Sequence, residues 1–351
     1  MSDSVSNHKV IRACAPLRLG LAGGASDVSP FCDQYGGYVL NATIDSYASC
    51  HLETCRDGVT FIALDRGEEF KAKPQAQYAL DGEVILHKAI YNRVVAQFNG
   101  GRPLSLRITT SCDAPVGSGL GASSTIVVAI LRAYAEWLNL PLSEYDLAHL
   151  AFQIERVDAK LLGGRQDQYA AAFGGFNFME FYAGDRVIVN PLRVKHSIVR
   201  ELESSIVLYY TGVSRESAHV IDEQKQRVEQ MDAPAIAATQ ELKNDALLMK
   251  EALLKSNIPE VARVLGRSWE AKKKIASRIT NPAIDAAYET AMQAGAVSGR
   301  ISGAGGGGFI ILMADPLKRH DVIKALQNCG GRILPFHFSE RGAEAWSVSQ
   351  T

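Results

Sequence analysis

Pro115-Val116-Gly117-Ser118-Gly119-Leu120-Gly121-Ala122-Ser123-Ser124 lies between two segments of different periodicity. Upstream, Leu104 to Thr110 is rich in β-branched and apolar residues and predicts a strand. Downstream, apolar Ile126, Ile130, Ala133 and Trp137 are spaced by four, three and four, which lines one helical face, with the helix starting at Ser123 or Ser124. Glycines between a strand and a helix let the backbone come close to an oxyanion and turn successive N–H groups inward. The helix N-terminus adds partial positive charge. No Lys follows the last glycine, so the stretch is not G-x-x-x-x-G-K-[ST], and the dinucleotide pattern G-x-G-x-x-G in its βαβ setting is absent. A P-loop ATPase and a nicotinamide dehydrogenase are both poor readings. Taken alone, the stretch is also a tight turn with a serine cap.

Two further glycine-rich stretches change that reading. Gly303-Ala304-Gly305-Gly306-Gly307-Gly308 separates two short apolar runs, where so many glycines are entropically wasteful unless the backbone packs closely against something. The other, Arg18-Leu19-Gly20-Leu21-Ala22-Gly23-Gly24-Ala25-Ser26-Asp27, follows Ala15-Pro16.

The rest of the chain supplies the frame. Its 351 residues are 47% hydrophobic, which excludes disorder as the dominant state and fits about two domains. Lys+Arg 37 against Asp+Glu 38 leaves a net charge of -1, so no global charge draws the chain to nucleic acid or an anionic membrane. The six cysteines include no C-x-x-C pair and read as reduced thiols. Met1 to Lys9 is polar, and the longest apolar stretch, Ile126 to Leu131, is too short to span a bilayer. A cytoplasmic protein is expected.

Gly37 to Ile44 predicts another strand. A helix is expected after Pro141, capped by Ser143 with Asp146 three residues on, burying Leu147, Leu150, Ile154 and Leu161. Beyond Arg200 the chain turns helical: Glu216 to Gln230, Pro234 to Leu254, Pro259 to Ala276 and Pro282 to Ala294, punctuated by Pro and Asn. Strands around Val297 to Ile301 and Phe309 to Met313, a helix from Pro316 to Gln327 and a strand near Arg332 to Phe338 finish it. This is an α+β arrangement, divided near residue 190 into domains 1–190 and 191–351.

The three glycine stretches, in this order, resemble the motifs of the GHMP small-molecule kinases, which include galactokinase, homoserine kinase, mevalonate kinase and phosphomevalonate kinase. The resemblance spans nearly the whole chain, and P-x-G-S-G-L-G and S-G-A-G-G-G-G-F are its most specific parts. It implies an N-terminal mixed α/β ATP-binding domain and a C-terminal ferredoxin-like α+β domain with extra helices. The first motif has A-G-G-A-S-D where galactokinases carry G-E-H-x-D, and is more like that of the sugar 1-kinases acting on fucose and heptose phosphate. Trp269 to Lys274 and Ile279-Thr280-Asn281-Pro282-Ala283-Ile284-Asp285 resemble the D-glycero-D-manno-heptose 7-phosphate kinases. The implied reaction is ATP- and Mg2+-dependent phosphorylation of the anomeric hydroxyl to give the 1,7-bisphosphate, a precursor of nucleotide-activated heptose for surface polysaccharide. Alternatives are a fucokinase- or galactokinase-like enzyme on an unphosphorylated sugar and a catalytically silent sugar sensor. The partner is then a small-molecule sugar phosphate, with neither nucleic acid nor membrane involved.

Phosphoryl transfer needs a phosphate cradle, a metal and a group that orients or deprotonates the acceptor. The resemblance places the cradle on Pro115, Gly117, Ser118, Gly119, Leu120, Gly121, Ala122, Ser123 and Ser124. Magnesium falls to Ser123, with Ser124 as rival, and to Glu155, with Asp158 as rival. Asp167 becomes the general base or acceptor-orienting group, with Arg18 beside it to stabilise the transferring phosphoryl group. Asp27 is expected to accept from sugar hydroxyls, or to cap a helix beginning near Val28. Gly24, Gly305 and Gly306 complete the substrate side. Arg267, Lys272, Lys273 and Lys274 form a basic stretch that is either a solvated face or a phosphate anchor, with Lys272 and Lys273 as anchor candidates and Lys160 and Arg165 near the catalytic turn. His87, His149, Cys112 and the tryptophans read as structural, although Trp269 could border the substrate.

Overall fold

The computed structural model describes residues 9–115, 117–212 and 217–349. Val116 and Glu216, which fall in the expected phosphate loop and at an expected helix start, lie outside them. The first part of the chain runs β1 (Val10–Ala22), α1 (Phe31–Tyr35), β2 (Gly37–Thr54), β3 (Val59–Ala63), β4 (Glu68–Ala72), α2 (Ile85–Phe98), β5 (Leu106–Cys112), α3 (Ala122–Leu138), α4 (Glu144–Gln153), α5 (Gln166–Phe173), β6 (Phe176–Phe181) and β7 (Val187–Pro191). The second runs α6 (His196–Ser205), β8 (Ile206–Tyr210), α7 (Ser217–Glu229), α8 (Ala233–Leu254), α9 (Ile258–Lys272), α10 (Pro282–Gln293), β9 (Ala296–Ile301), β10 (Phe309–Ala314), α11 (Arg319–Leu326), β11 (Arg332–Ile333) and β12 (Glu344–Val348).

The larger sheet is ordered β12-β1-β2-β5-β3-β4, with β6 and β7 continuing from the other end of β2. β2 is long enough to serve two partners: Gly37 to Ala42 pair with β6, and Ala48 to Thr54 with β5. β1 pairs with β2 antiparallel, and its register shifts between Pro16 and Arg18. A proline has no N–H to give the ladder, so an irregularity there is expected, and such breaks re-aim neighbouring side chains. Before it, Ile11, Ala13 and Ala15 join the core shared with α2, α3 and α4. After it, Leu17, Leu19 and Leu21 join a second core with Met249 of α8 and Val264 of α9, which fastens the two halves together.

The smaller sheet, β11-β8-β10-β9, is antiparallel. β10 is buried at every residue, as its unbroken Phe309-Ile310-Ile311-Leu312-Met313 run suggests for a strand covered on both faces. The helix starts that Pro and Asn punctuate carry side-chain caps: Asp232 accepts from Ala235 N–H, Asn257 from Glu260 N–H and Asn281 from Ala283 and Ile284 N–H, each one or two residues before a proline.

Three expectations change. Ser143 and Asp146 form a capping box, but α4 gives way at Ile154–Asp158 to a π-helical turn, so Leu161 lies beyond it and is exposed. The strand expected over Arg332 to Phe338 shrinks to two residues, because Pro335 cannot donate to a ladder. The last strand, β12, returns to the first sheet and pairs with β1 from Val10↔Val348 to Cys14↔Glu344, crossing the division at residue 190. No helix among the described residues is long and apolar enough to cross a membrane. The six cysteines are free.

Candidate active site

A cavity of about 470 Å³ opens between the two halves, lined by parts of the three glycine-rich stretches. Gly117, Gly119 and Gly121 all have positive φ, and α3 starts at Ala122 with no side chain capping its first turn. At Gly119 no other residue fits, because a Cβ would collide with the Ser302 carbonyl. Ser302 Oγ donates to Gly119 O at 2.8 Å, and Phe309 N–H donates to Ser118 O at 2.9 Å. The third glycine stretch therefore packs on the loop from behind. It is Gly303 and Ala304 that line the cavity, whereas Gly305 and Gly306, expected there, pack against the Arg278–Ile279 backbone, with Gly306 N–H on Ile279 O at 2.7 Å.

Just past the β1 irregularity, Arg18 turns into this space. Its Nε donates to Asp167 Oδ1 at 2.8 Å, Nη2 stands 2.6 Å from the same oxygen, and Nη1 donates to Gly119 O at 2.5 Å. Asp167, in the first turn of α5, reaches the phosphate loop: its Cγ is 3.2 Å from where a Cβ on Gly121 would sit. The sequence-predicted pair is thus assembled, with one carboxylate oxygen committed to Arg18.

Asp27 is a cap, but not of a helix near Val28. Its Oδ2 accepts from Arg165 N–H at 2.9 Å and Gln166 N–H at 3.1 Å, at the start of α5, and Oδ1 accepts from Gln166 Nε2 at 3.2 Å and Ala25 N–H at 3.3 Å. Gly164 has to be glycine, because a Cβ there would meet this carboxylate. Burial first, then the nearby Asp167, raises the Asp27 carboxyl above the ordinary range. With roughly four acceptor positions on a carboxylate, its capacity is full, and any further donor would have to replace one of these four. Gly24 and Gln166 line the same wall.

Glu155 sits in the π-helical turn, fully buried, and Ser123 Oγ donates to its Oε1 at 3.2 Å. Gln168 Nε2 bridges Glu155 Oε2, at 2.5 Å, and Ser124 Oγ, at 3.0 Å. Ser124 therefore reaches Glu155 only through an amide, while Ser123 touches it. Asp158, the rival carboxylate, is taken by Arg93 at 2.9 and 2.6 Å. No group of three or more His, Cys, Asp or Glu that could hold a metal occurs among the described residues. One buried carboxylate beside a hydroxyl suits Mg2+, which keeps waters and takes the rest of its ligands from substrate phosphates.

The basic stretch splits. Arg267 pairs with buried Asp245, Lys274 is exposed, and Lys273 pairs with Glu270 at 2.7 Å over the Trp269 ring. Lys273, expected at the substrate, does not line the cavity, and Trp269 is buried in the core of the second half. Helical geometry explains this, since consecutive residues at the end of α9 point some 100° apart. Lys272 alone turns inward, 1% exposed, beside Arg300 of β9, 2% exposed. Lys160 is exposed, and Arg165 is a strut to Tyr182 O, Ser29 and Asp33. His87 is buried against Thr110 and pushed down to about 4 by burial, as a structural histidine.

Sequence reasoning missed Gln166, Gln168, Arg300, Ser302 and Arg156, which lines the cavity with its Nη1 3.7 Å from Glu155 Oε1. Gln166 and Gln168 flank Asp167, but neutral amides carry no chemical signature of their own; Arg300 stands two residues before the Ser302-Gly303 start of the third glycine stretch, a position that could have drawn attention to it.

Comparison with known proteins bears on the whole chain. The family pattern described as GHMP kinases N terminal domain matches residues 86–175, and that described as GHMP kinases C terminal matches residues 249–332. A Campylobacter jejuni protein named D-glycero-alpha-D-manno-heptose 7-phosphate kinase is 46% identical, with 97% of this chain and 100% of the relative covered. A crystal structure described as a D-glycero-D-manno-heptose 1-phosphate kinase from Bacteroides thetaiotaomicron has a TM-score of 0.83 and 45% identity, covering 97% of this chain and 100% of that one. The bifunctional fucokinase/GDP-fucose pyrophosphorylase of Arabidopsis thaliana is 27% identical over 89% of this chain, which spans 30% of that longer protein.

Proposed function

This chain belongs to the GHMP kinases, and from that premise we propose that it transfers the γ-phosphoryl group of ATP to the anomeric hydroxyl of D-glycero-α-D-manno-heptose 7-phosphate, yielding the 1,7-bisphosphate and ADP. The observation that carries the reading is the Arg18–Asp167 pair directly beneath the Gly119–Gly121 loop. A carboxylate, a fixed cation and a glycine-rich loop in one cavity support the reading, because phosphoryl transfer relies on positioning and charge stabilisation of this kind. The two most similar proteins described above carry names that differ in the position of the phosphate, yet both names specify a heptose monophosphate, which favours a phosphorylated acceptor over a free sugar.

In this mechanism the inward N–H groups of residues 117–124 and the start of α3 hold the donor phosphates. Asp167 Oδ2, left free by Arg18, accepts a hydrogen bond from the anomeric hydroxyl and takes its proton as the new O–P bond forms and ADP departs. Arg18 supports charge on the phosphoryl oxygens. Ser123 and Glu155 would hold Mg2+, whose chemistry is to neutralise charge developing on the phosphates. Gln168 fixes Glu155, and Asp27 with Gln166 faces the sugar hydroxyls.

The test is ADP release with Mg-ATP across free sugars and sugar phosphates, including both anomers of the heptose 7-phosphate and the 1-phosphate, with Asp167→Asn as control. Turnover of the α-anomer of the 7-phosphate, abolished in the control, is expected. Turnover confined to unphosphorylated sugars would overturn the substrate assignment and leave a fucokinase-like sugar kinase.

A further inference from the structure

We propose that Lys272 and Arg300 together form the subsite that receives the phosphate the sugar already carries. The inference rests on the reading above and deepens it by naming the cations. Lys272 ends α9, Arg300 lies on β9, and both line the cavity although each is almost completely buried. Among the described residues neither forms an ion pair. Lys272 Nζ donates to the Gly303 carbonyl, Arg300 Nη1 donates to Leu21 O at 3.4 Å, and Arg300 Nε has no partner. Neutral carbonyls do not repay the cost of burying two positive charges side by side.

The carboxylates that might neutralise them are engaged. Asp167 is held by Arg18, and Asp27 is filled by four N–H donors. Burial, then the charges of Arg300 and Arg18, pushes the Lys272 ammonium well below its usual range, with Asp27 opposing, and burial with Arg18 lowers the Arg300 guanidinium to about 10. Such a wall is stabilised by an anion that arrives from outside. A phosphate monoester dianion supplies both the charge and the several acceptor oxygens that a fork and an ammonium can share.

Two phosphates could bring that charge, the sugar's own and the γ-phosphate of ATP. Lys272 reaches the carbonyl of Gly303, which packs on Gly119, so the two cations border the loop. What favours the sugar's phosphate is that the donor phosphates already have a cradle at residues 117–124 with Arg18 beside it, whereas both cations come from the second half of the chain.

Steady-state kinetics on Lys272→Met and Arg300→Met separates the two. The ratio of kcat/KM for heptose 7-phosphate to that for the unphosphorylated heptose should fall about ten- to hundredfold in each variant, through KM for the sugar phosphate, with KM for ATP moving less than about twofold. A preserved ratio, or a rise confined to KM for ATP, overturns the proposal in favour of a nucleotide role. Wild-type enzyme that does not discriminate the phosphorylated sugar at all overturns the substrate reading itself, a failure visible before any variant is made. Thermal shift with inorganic phosphate gives a second readout independent of turnover: phosphate should raise the wild-type Tm, and each variant should lose that shift while remaining folded. An equal shift in wild type and variants would overturn the assignment.

Discussion

The two walls of the cavity handle charge in opposite ways. On the wall built from the first half of the chain, each charged group we assign to chemistry has its partner: Arg18 with Asp167, Glu155 with Ser123 and Gln168, and Asp27 with the N–H groups that open α5. On the wall built from the second half, Lys272 and Arg300 face the same space with only carbonyls for company. A paired wall is preorganised for charge that moves during the reaction and needs little rearrangement when it does. An unpaired wall is destabilised when empty, so it favours a ligand that delivers the missing charge. On the reading we propose, the difference separates residues that act on the transferring phosphoryl group from residues that choose the acceptor.

The paired wall is broken most severely at Asp167. Asp167→Asn keeps the shape but removes the proton acceptor, so kcat should fall by about 10²- to 10⁴-fold, with KM for the sugar phosphate little changed. A residual rate within tenfold of wild type would mean that Asp167 only orients the hydroxyl. Glu155→Gln should cost at least the roughly 10- to 100-fold typical of metal-site perturbations, and the Mg2+ concentration for half-maximal rate should rise. If kcat falls while the Mg2+ dependence stays put, Glu155 supports the loop and the metal lies elsewhere.

The unpaired wall makes a smaller, signed prediction. Lys272 faces Arg300, Arg18 and Asp27, and burial with the two guanidinium charges holds its ammonium low in the free protein. A bound dianion reverses that balance and raises it, so binding takes up a proton. Affinity for the sugar phosphate should then weaken as pH rises through the Lys272 midpoint. Calorimetry in two buffers of different ionisation enthalpy should report net uptake of up to about one proton per sugar phosphate, lost in Lys272→Met. Uptake that persists in the variant would point to Asp27, whose carboxyl is already raised by burial and Asp167.

The paired wall was also the more legible one. Glycine spacing exposed the loop, and Asp167 and Glu155 stood at positions that the family resemblance marks, because phosphoryl transfer restricts both residue type and order along the chain. The fold was legible for a similar reason: proline and asparagine announced α8, α9 and α10, and Ser143 with Asp146 announced α4. What stayed hidden depends on contacts between distant segments. Nothing near Ala345 signals that β12 returns to β1, nothing in Asp27 signals that it caps a helix 138 residues later, and Arg300 acquires meaning only beside Lys272. The π-helical turn at Ile154–Asp158 is equally silent, although it is what carries Glu155 into the cavity.

The smallest expected effect is the sharpest check on the comparison. Lys272 and Lys273 are adjacent and chemically identical in sequence, yet Lys273 is partly exposed, 2.7 Å from an exposed Glu270, at a place where an ion pair contributes little. Lys273→Ala should therefore leave both KM values and kcat within about twofold of wild type and shift stability by no more than about 0.5 kcal/mol. Lys272→Met, one residue away, should cut selectivity for the phosphorylated sugar about ten- to hundredfold. If instead the two substitutions raise KM for the sugar phosphate equally, the effect is one of diffuse positive charge around the cavity mouth. It would then fade with added salt, as screening of exposed charges demands, whereas a buried cation loses little to ionic strength.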